Sequence, residues 1–367
     1  MSKRAAELAR LRALGAMGLA AETVVPALLE ALHAIVPSSR NRFGWADARG
    51  RMSRLYVEGP IDHRIAAHYF AEYHERREAD TLPTFSDTVL GRAAGRVDER
   101  CRPAFYRSAL YHEVWRPHGL HTRIEAVVRG ARGQPLGALA LYRGAGDPPF
   151  TADDEWLLAQ AAQYATRPLE AACPVPRAAE YVSRRDRRAQ LGLDAQGELL
   201  HLSPDALKLL MLSHGGMTPA AMARAPRRED FPTLSMLWQH HQRAHALSDD
   251  PLTVTVENAW GRFVFDTAVL APMHPAQAPV IHVGIQQQEP LALALRRTID
   301  ALPLSSAQRE VCALLHSGLS QAEIARTLSV APSTVADHVK KIYGRLDVHS
   351  VHELGERIRQ LTARQLA

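Results

Sequence analysis

Three helix-start signals follow one another near the C-terminus, and no other feature of the sequence constrains the fold as tightly. Ser305 and Ser320 are each followed three residues later by a Gln or Glu, Gln308 and Glu323, which is the spacing of a capping box. Pro332 marks the third start, because proline is tolerated in a first helical turn but cannot continue the preceding helix. The sequence therefore predicts three successive helices with only a short turn between the last two, as in a helix-turn-helix.

The third of these helices is predicted to run from about 332 to 346, with Val335, Val339, Ile342 and Leu346 repeating on one apolar face. A helix fits the major groove of DNA, where short polar side chains near its N-terminus meet base edges and lysines farther along meet phosphates. A small helical bundle used for protein contact is the alternative. The predicted DNA-contact residues are Ser333, Thr334, Asp337, His338, Lys340, Lys341 and Arg345 on this helix and Gln321 at the start of the second.

Many positions in this segment resemble the LuxR (NarL/FixJ) class of bacterial transcription regulators. They are Arg309-Glu310-Val311, Gly318-Leu319-Ser320, Glu323-Ile324-Ala325, Ser333-Thr334-Val335, His338 and Ile342-Tyr343 with Leu346. The resemblance implies an all-α domain of four helices, in which the third reads double-stranded promoter DNA and the fourth, from about 351 to 361, contributes to a homodimer. It also implies that sensing is done upstream in the chain and that an activator of this class contacts RNA polymerase.

The segment also departs from the class at several positions. Ala322 and Ala336 stand where a basic residue is common, Ala331 where a serine often caps the reading helix, and Val351 where an arginine is common. Residues 302–367 contain eight Lys or Arg against six Asp or Glu, so the domain is barely basic. We therefore expect modest affinity from a monomer, with DNA binding dependent on the pairing of two half-sites.

The rest of the 367-residue chain is long enough for one or two further domains. Residues 41–46 and 52–57 are predicted as strands and 61–79 as helix, while two apolar runs around Ala131-Arg132-Gly133-Gln134 form a hairpin signal. The run from Pro135 to Tyr142, followed by Pro149-Phe150-Thr151 and a long helix, resembles a GAF sensor domain. Such a domain implies a pocket between sheet and helices that holds a small molecule in some members.

A second module is predicted from the order of its elements. Strands at 189–194 and 198–202, a helix capped by Ser203 and a three-strand meander together resemble a PAS-type sensor. A helix at 291–299 then leads to the C-terminal segment. The predicted fold is therefore multidomain, with α+β sensor modules followed by an all-α domain. The predicted parts are a GAF-like module at 1–173, a PAS-like module at 188–288, a connecting helix at 289–302 and a LuxR-type domain at 303–367.

Aromatic residues in the first module are candidates for an effector pocket, although core packing is the usual fate of such side chains. The pocket candidates are Tyr69, Tyr73, Phe105, Tyr111 and Trp115. If this module binds no small molecule, it serves instead for dimerisation or protein interaction, or it carries a catalytic activity. A closed pocket, as opposed to a filled apolar core, would favour sensing.

Several function classes find no support in the sequence. The chain has no P-loop, no G-x-S-x-G and no H-E-x-x-H motif, so neither an enzyme activity nor a cofactor is predicted. His112, His118 and His121 fit no common zinc spacing, so no metal site is expected. Cys101, Cys173 and Cys312 are too far apart in sequence to suggest a disulfide framework, and no long apolar run is present. A cytoplasmic regulator without a membrane segment is the expectation.

Overall fold

A computed structural model of the chain describes residues 3–91, 95–97, 101, 104–171, 180–242, 250–274 and 276–366. Two antiparallel five-stranded sheets lie in the first three quarters of the chain, and a helical domain follows them. The predicted joint that begins near 173, together with Cys173 itself, falls largely outside the described residues. Within the described ranges, no helix is both long enough and apolar enough to span a membrane.

The first sheet has the strand order β2-β1-β5-β4-β3. Its strands are β1 (Arg40–Ala46), β2 (Met52–Val57), β3 (Gly95–Arg96), β4 (Thr122–Arg129) and β5 (Pro135–Arg143). One face packs against α2 (Ala21–Leu32) and α5 (Ala152–Glu170), and α1 (Lys3–Gly15) packs on these two helices. Thr151 caps α5 in a capping box with Asp154, so the predicted helix start is observed.

The other face of this sheet is covered by the irregular segment between β2 and β4. The segment contains α3 (His63–His68), a π-helical turn at Tyr69–Tyr73, a 3-10 turn at Arg77–Asp80 and α4 (Phe85–Val89). The predicted helix over 61–79 is therefore observed only in part, because it is interrupted after Tyr73. Glu75 adopts a left-handed conformation with φ 57°, which no helix can continue through, and its carboxylate accepts from the Ser86 amide at 2.8 Å.

The second sheet has the order β7-β6-β10-β9-β8, so both sheets share one arrangement when each is numbered from its own first strand. Its strands are β6 (Tyr181–Leu193), β7 (Leu199–Leu202), β8 (Thr253–Asn258), β9 (Gly261–Leu270) and β10 (Val280–Pro290), and its helices are α6 (Ala206–Ser213), α7 (Pro219–Met222) and α8 (Pro232–His241). Ser203 does not cap α6 as predicted. The α6 helix begins two residues after Pro204, and the Ser203 hydroxyl accepts from the Gln190 amide at 2.8 Å instead.

A helix leaves the second sheet without an intervening loop and leads into the helical domain. Pro290 is both the last residue of β10 and the N-cap of α9 (Leu291–Ala301). The domain then consists of α10 (Ser306–His316), α11 (Gln321–Leu328), α12 (Pro332–Leu346) and α13 (Val351–Leu366). Its core is one apolar cluster that includes Val311, Ile324, Ile342 and Ile358, all fully buried, together with Ile299 from α9.

Ion pairs between distant segments join the three parts of the chain. Glu30 of α2 contacts Arg184 at 3.4 Å and Arg187 at 2.5 Å, both on β6, and Arg297 of α9 at 3.3 Å. Burial alone would raise the pKa of the Glu30 carboxyl, but the three guanidinium groups hold it below its ordinary value. The α2 helix, the second sheet and α9 are therefore held at one charged junction.

Candidate nucleic-acid interface

The two capping boxes expected from the sequence are formed at the starts of α10 and α11. The Ser305 hydroxyl accepts from the Gln308 amide at 3.3 Å, and the Gln308 side chain accepts from the Ser305 amide at 3.0 Å. Ser320 and Glu323 make the same reciprocal pair at 3.3 and 2.8 Å. Each box satisfies backbone donors that the first turn leaves unpaired, so both helix starts are fixed by local sequence.

The turn between α11 and α12 is tight. Ser329 ends α11 in the left-handed conformation with φ 53°, and the Val330 amide reaches back to the Ala325 carbonyl at 3.0 Å. Pro332 occupies the first position of α12. Ala331 is its N-cap and supplies no side-chain hydrogen bond, while its carbonyl accepts from the Thr334 amide at 3.0 Å. Pro332 has no amide hydrogen, so among the described contacts the Ser333 amide is the donor of this turn that remains for an anion such as a phosphate.

The α12 helix divides cleanly into a buried and an exposed face. Val335, Val339, Ile342 and Leu346 are buried against α10 and α11, as their spacing predicts. Seven of the eight residues predicted to contact DNA are exposed with the whole chain present, and the upstream domains therefore leave this face open. These seven are Gln321, Ser333, Thr334, Asp337, Lys340, Lys341 and Arg345.

Arg345 and His338 differ from the other predicted contact residues in their surroundings. Arg345 donates to the Gln308 side chain at 2.9 Å and to the Pro303 carbonyl at 3.3 Å, so its guanidinium turns towards the start of α10. His338 is half-buried, and its Nδ1 has no hydrogen-bond partner among the described residues. Arg345 therefore positions two helices in this conformation, while His338 lies at the edge of the exposed face.

The charge on the exposed face of α12 is partly cancelled. Lys341 donates to the Asp337 carboxylate at 2.6 Å, four residues away on the same helix. This hydrogen bond is the first cause that lowers the pKa of Asp337, so its carboxylate is ionised at neutral pH. Lys340 is the one lysine of α12 without such a pair among the described contacts, which makes the face less attractive to phosphates than its sequence suggests.

The helical domain is held to the rest of the chain on the side of α9, α10 and α13. Thr298 of α9 and Thr362 of α13 share a buried hydrogen bond of 2.7 Å. Asp300, also on α9, is almost completely buried and contacts Arg296 at 2.8 Å and Arg10 of α1 at 3.3 Å. The first helix of the chain therefore reaches the base of the C-terminal domain while α12 stays free.

The aromatic residues predicted for an effector pocket separate into two groups. Tyr69 and Trp115 line a cavity on the outer face of the first sheet. Tyr73, Phe105 and Tyr111 do not line it, and they belong to the aromatic packing next to it, where the ring centroids of Phe105 lie 5.0 Å from Trp115 and 5.4 Å from Tyr111. These three side chains serve as packing for the wall of the cavity.

Sequence reasoning missed the charged residues of this cavity. Arg42 on β1, Arg123 on β4 and Glu78 in the covering segment line it, and Glu125 lies beside them. A signal for them exists in the sequence, because strands in the middle of a sheet that is covered on both faces rarely carry charges at alternate positions. Arg40 and Arg42 on β1 have this spacing, and so do Arg123 and Glu125 on β4.

Residues 302–356 match the sequence model of the family of bacterial regulatory proteins named for luxR. A search of curated proteins finds no match. The VqmA dimer of Vibrio cholerae, described as a LuxR-type receptor, is 14% identical, with 48% of this chain and 84% of that chain covered and a TM-score of 0.21. An Escherichia coli DhaR(N)–DhaL complex is 13% identical over 75% and 86% of the two chains, with a TM-score of 0.25. These structural likenesses are too weak to carry a function to this chain.

Proposed function

Because residues 302–356 form a LuxR-type helix-turn-helix domain, we propose that the chain is a sequence-specific transcription regulator that reads promoter DNA with α12. One observation carries the proposal, namely that the polar face of α12 is exposed in the complete chain while its apolar face completes the domain core. Thr334 and His338 are the proposed base contacts, and Lys340 is the proposed phosphate contact. The Ser333 amide at the start of α12 is a further proposed donor to a phosphate.

We further propose that a homodimer is the DNA-binding species. The domain has few basic residues, and one of its lysines is already paired, so a single copy offers few phosphate contacts. Two copies on adjacent half-sites double those contacts and the base readout. Footprints of two half-sites about 34 Å apart support this proposal, whereas a monomer that protects one half-site contradicts it.

The upstream sheets are proposed to be the sensing part, with the first assigned to a GAF-like module, 1–173, and the second to a PAS-like module, 188–288. Two features support this role. A partly open cavity lies on the outer face of the first sheet, and the second sheet continues directly into the connecting helix at 289–302 that packs against α13. A bound effector shifts the regulator only if it binds two arrangements of these parts with different affinity.

The DNA proposal is tested with the full chain and with duplexes selected from a random-sequence pool. Replacing Lys340 and Lys341 by Ala is expected to weaken binding to all duplexes, and to reduce the slope of log affinity against log salt by about 0.9 for each lysine that contacts a phosphate. The matched control replaces Arg357 and Arg359, two exposed cations on α13, by Ala. An equal effect in both double variants would indicate a response to net charge and would contradict the assignment of α12.

Base readout is tested separately. Replacing Thr334 or His338 by Ala is expected to change which duplexes are selected, with discrimination at one base pair falling by about 1–3 kcal/mol. The salt dependence of the Thr334→Ala variant should stay the same, because a threonine hydroxyl carries no charge that replaces a counterion. Selection of the same sequences by both variants would show that α12 does not read bases.

A further inference from the structure

The cavity on the outer face of the first sheet is bounded by both upstream domains. Its floor is formed by β1, β2, β4 and β5, its roof by the covering segment between β2 and β4, and one side by Met222 of α7 in the second domain. Its volume is about 120 Å³ and it is partly open to solvent; this is somewhat less than the volume of about 150 Å³ of an apolar cavity that holds benzene, so only a compact ligand fits. The side chains of Leu55, Val57, Ile65, Tyr69, Phe70 and Trp115 make much of its wall apolar or aromatic.

A charged side chain without a matching partner lies in this wall. Arg42 is only 8% exposed, yet its Nε is buried without a hydrogen-bond partner, and no hydrogen bond joins its guanidinium to any described part of the chain. Its ion pair with Glu125 is long at 3.9 Å. A buried guanidinium whose donors are unmatched costs free energy, so its presence in a cavity wall indicates that something else accepts from it.

The register of the sheet explains why Glu125 does not satisfy Arg42. Both residues flank Ala140 of β5, one on each side, so two strand spacings separate their backbones. Arg123 is the closer partner of Glu125, at 3.2 Å, and it also contacts Glu78 at 3.7 Å and donates to the Pro83 carbonyl at 3.1 Å. The Glu78 and Glu125 carboxylates therefore pair mainly with Arg123, and the Arg42 side chain lines the cavity without a close carboxylate.

The buried charges at the cavity are equal in number. Arg42 and Arg123 stand against Glu78 and Glu125, and Arg40, which also lines the cavity, lies within electrostatic reach of Glu58. Burial lowers the pKa of His118, so this histidine lines the cavity as a neutral group at pH 7. The unmatched feature of the cavity is therefore the set of hydrogen-bond donors on Arg42.

We propose that this cavity binds a small organic monoanion, a carboxylate on a single aromatic ring or a comparably compact apolar group, with Arg42 donating hydrogen bonds to both carboxylate oxygens. This inference rests on the proposed sensing role and adds the chemical class of the effector. The ring lies among Tyr69, Phe70 and Trp115, and the carboxylate faces β1. A guanidinium is suited to this task because its fork of donors matches the two carboxylate oxygens.

A ligand at this site touches both upstream domains at once. Met222 lines the cavity from α7, and the Leu55 amide on β2 donates to the Met217 carbonyl of the second domain at 2.9 Å. Lys208 of α6 donates to the Gly59 carbonyl at 2.7 Å and so fixes the loop that contributes Pro60 to the cavity wall. Occupation of the cavity therefore acts on the contact between the two sheets.

Isothermal titration of the full chain with benzoate, phenylacetate and the neutral analogue benzamide tests the proposal. Benzoate or phenylacetate is expected to bind at millimolar concentration or below, and benzamide at least about ten-fold more weakly. Arg42→Met should weaken carboxylate binding about ten-fold or more, and Arg42→Lys should weaken it less, because lysine keeps the charge but loses the fork. Arg54→Met is the matched control, since Arg54 lies on β2 of the same sheet but outside the cavity and pairs with Glu22 at 2.6 Å.

A cavity-filling variant keeps the test decisive if Arg42→Met does not fold. Ala66→Phe leaves Arg42 in place and occupies the space near the ring, so it should abolish carboxylate binding. Absence of binding by both carboxylates, equal binding of benzamide, or unchanged binding in Arg42→Met and Ala66→Phe would overturn the inference. DNA binding by the same variants without carboxylate is measured in parallel. If DNA binding is retained while no carboxylate binds, the proposed effector class is wrong and the proposed DNA-binding function is unaffected.

Discussion

Replacement of Asp337 by Ala is expected to strengthen DNA binding and to make it more sensitive to salt. The carboxylate of Asp337 lies on the exposed face of α12, where it repels phosphates and holds Lys341 at 2.6 Å. Without it, Lys341 is free to replace one counterion, which adds about 0.9 to the slope of log affinity against log salt. Over a four-fold rise in salt, that slope corresponds to about 3.5-fold more loss of affinity than in the wild type.

The assay is fluorescence anisotropy with one selected duplex at several salt concentrations. Glu356→Ala is the matched control, because it removes the same charge from an exposed position on α13 of the same domain. A similar gain in both variants would mean that net charge alone is responsible. Weaker binding of Asp337→Ala, confined to duplexes with one particular base pair, would show that the carboxylate accepts from a base such as cytosine and would refute the reasoning.

Two further predictions concern stability. Ser305→Ala removes the capping box of α10 and should lower the free energy of unfolding by about 1 kcal/mol in a urea titration, whereas Ser317→Ala at the other end of α10 should change it by less than about 0.5 kcal/mol. Burial lowers the pKa of His74 to about 4, so the unfolded chain binds a proton that the folded chain does not between about pH 6.5 and 4. The stabilisation from neutral His74 is therefore complete above pH 6.5 and is lost as the pH falls towards 4, by about 3 kcal/mol in all. His74→Gln should flatten this part of the pH profile, and an identical profile in the variant would contradict the assignment.

The sequence was most informative where structure depends on neighbours along the chain. The boxes at Ser305 and Ser320, the proline at Pro332 and the left-handed Gly318 with φ 89° each act within a few residues, so the helix starts could be predicted from the sequence. The same holds for β1, β2 and the hairpin of β4 and β5, whose alternation and turn residues are local. Ser203 shows where prediction from local sequence fails. Its hydroxyl does not cap α6 because it accepts from the Gln190 amide on the neighbouring strand β6.

Residues that meet only after folding could not be assigned in this way. Arg42 and Glu125 come together because each flanks Ala140 across β5, a relation set by the register of three strands. The separation of Tyr69 from Tyr73 also depends on the π-helical turn that carries both, for which the residue pattern gives no signal. On α12, the pattern predicted which residues are exposed, but not that Arg345 would turn back to Gln308.

Because β10 passes directly into α9, a rotation of the second sheet is transmitted to the connecting helix. Pro290 ends the strand and caps the helix, so no flexible loop separates the second sheet from the eleven residues of α9. A helix of that length is about 16 Å long, and a tilt of about 10° at its base moves its far end by about 3 Å. In a dimer, the same tilt in both copies would change the separation of the two α12 helices by up to twice this displacement of about 3 Å. Such a change is large compared with the tolerance of a hydrogen bond, so a small rotation within the sheets is enough to move both helices out of register with their half-sites.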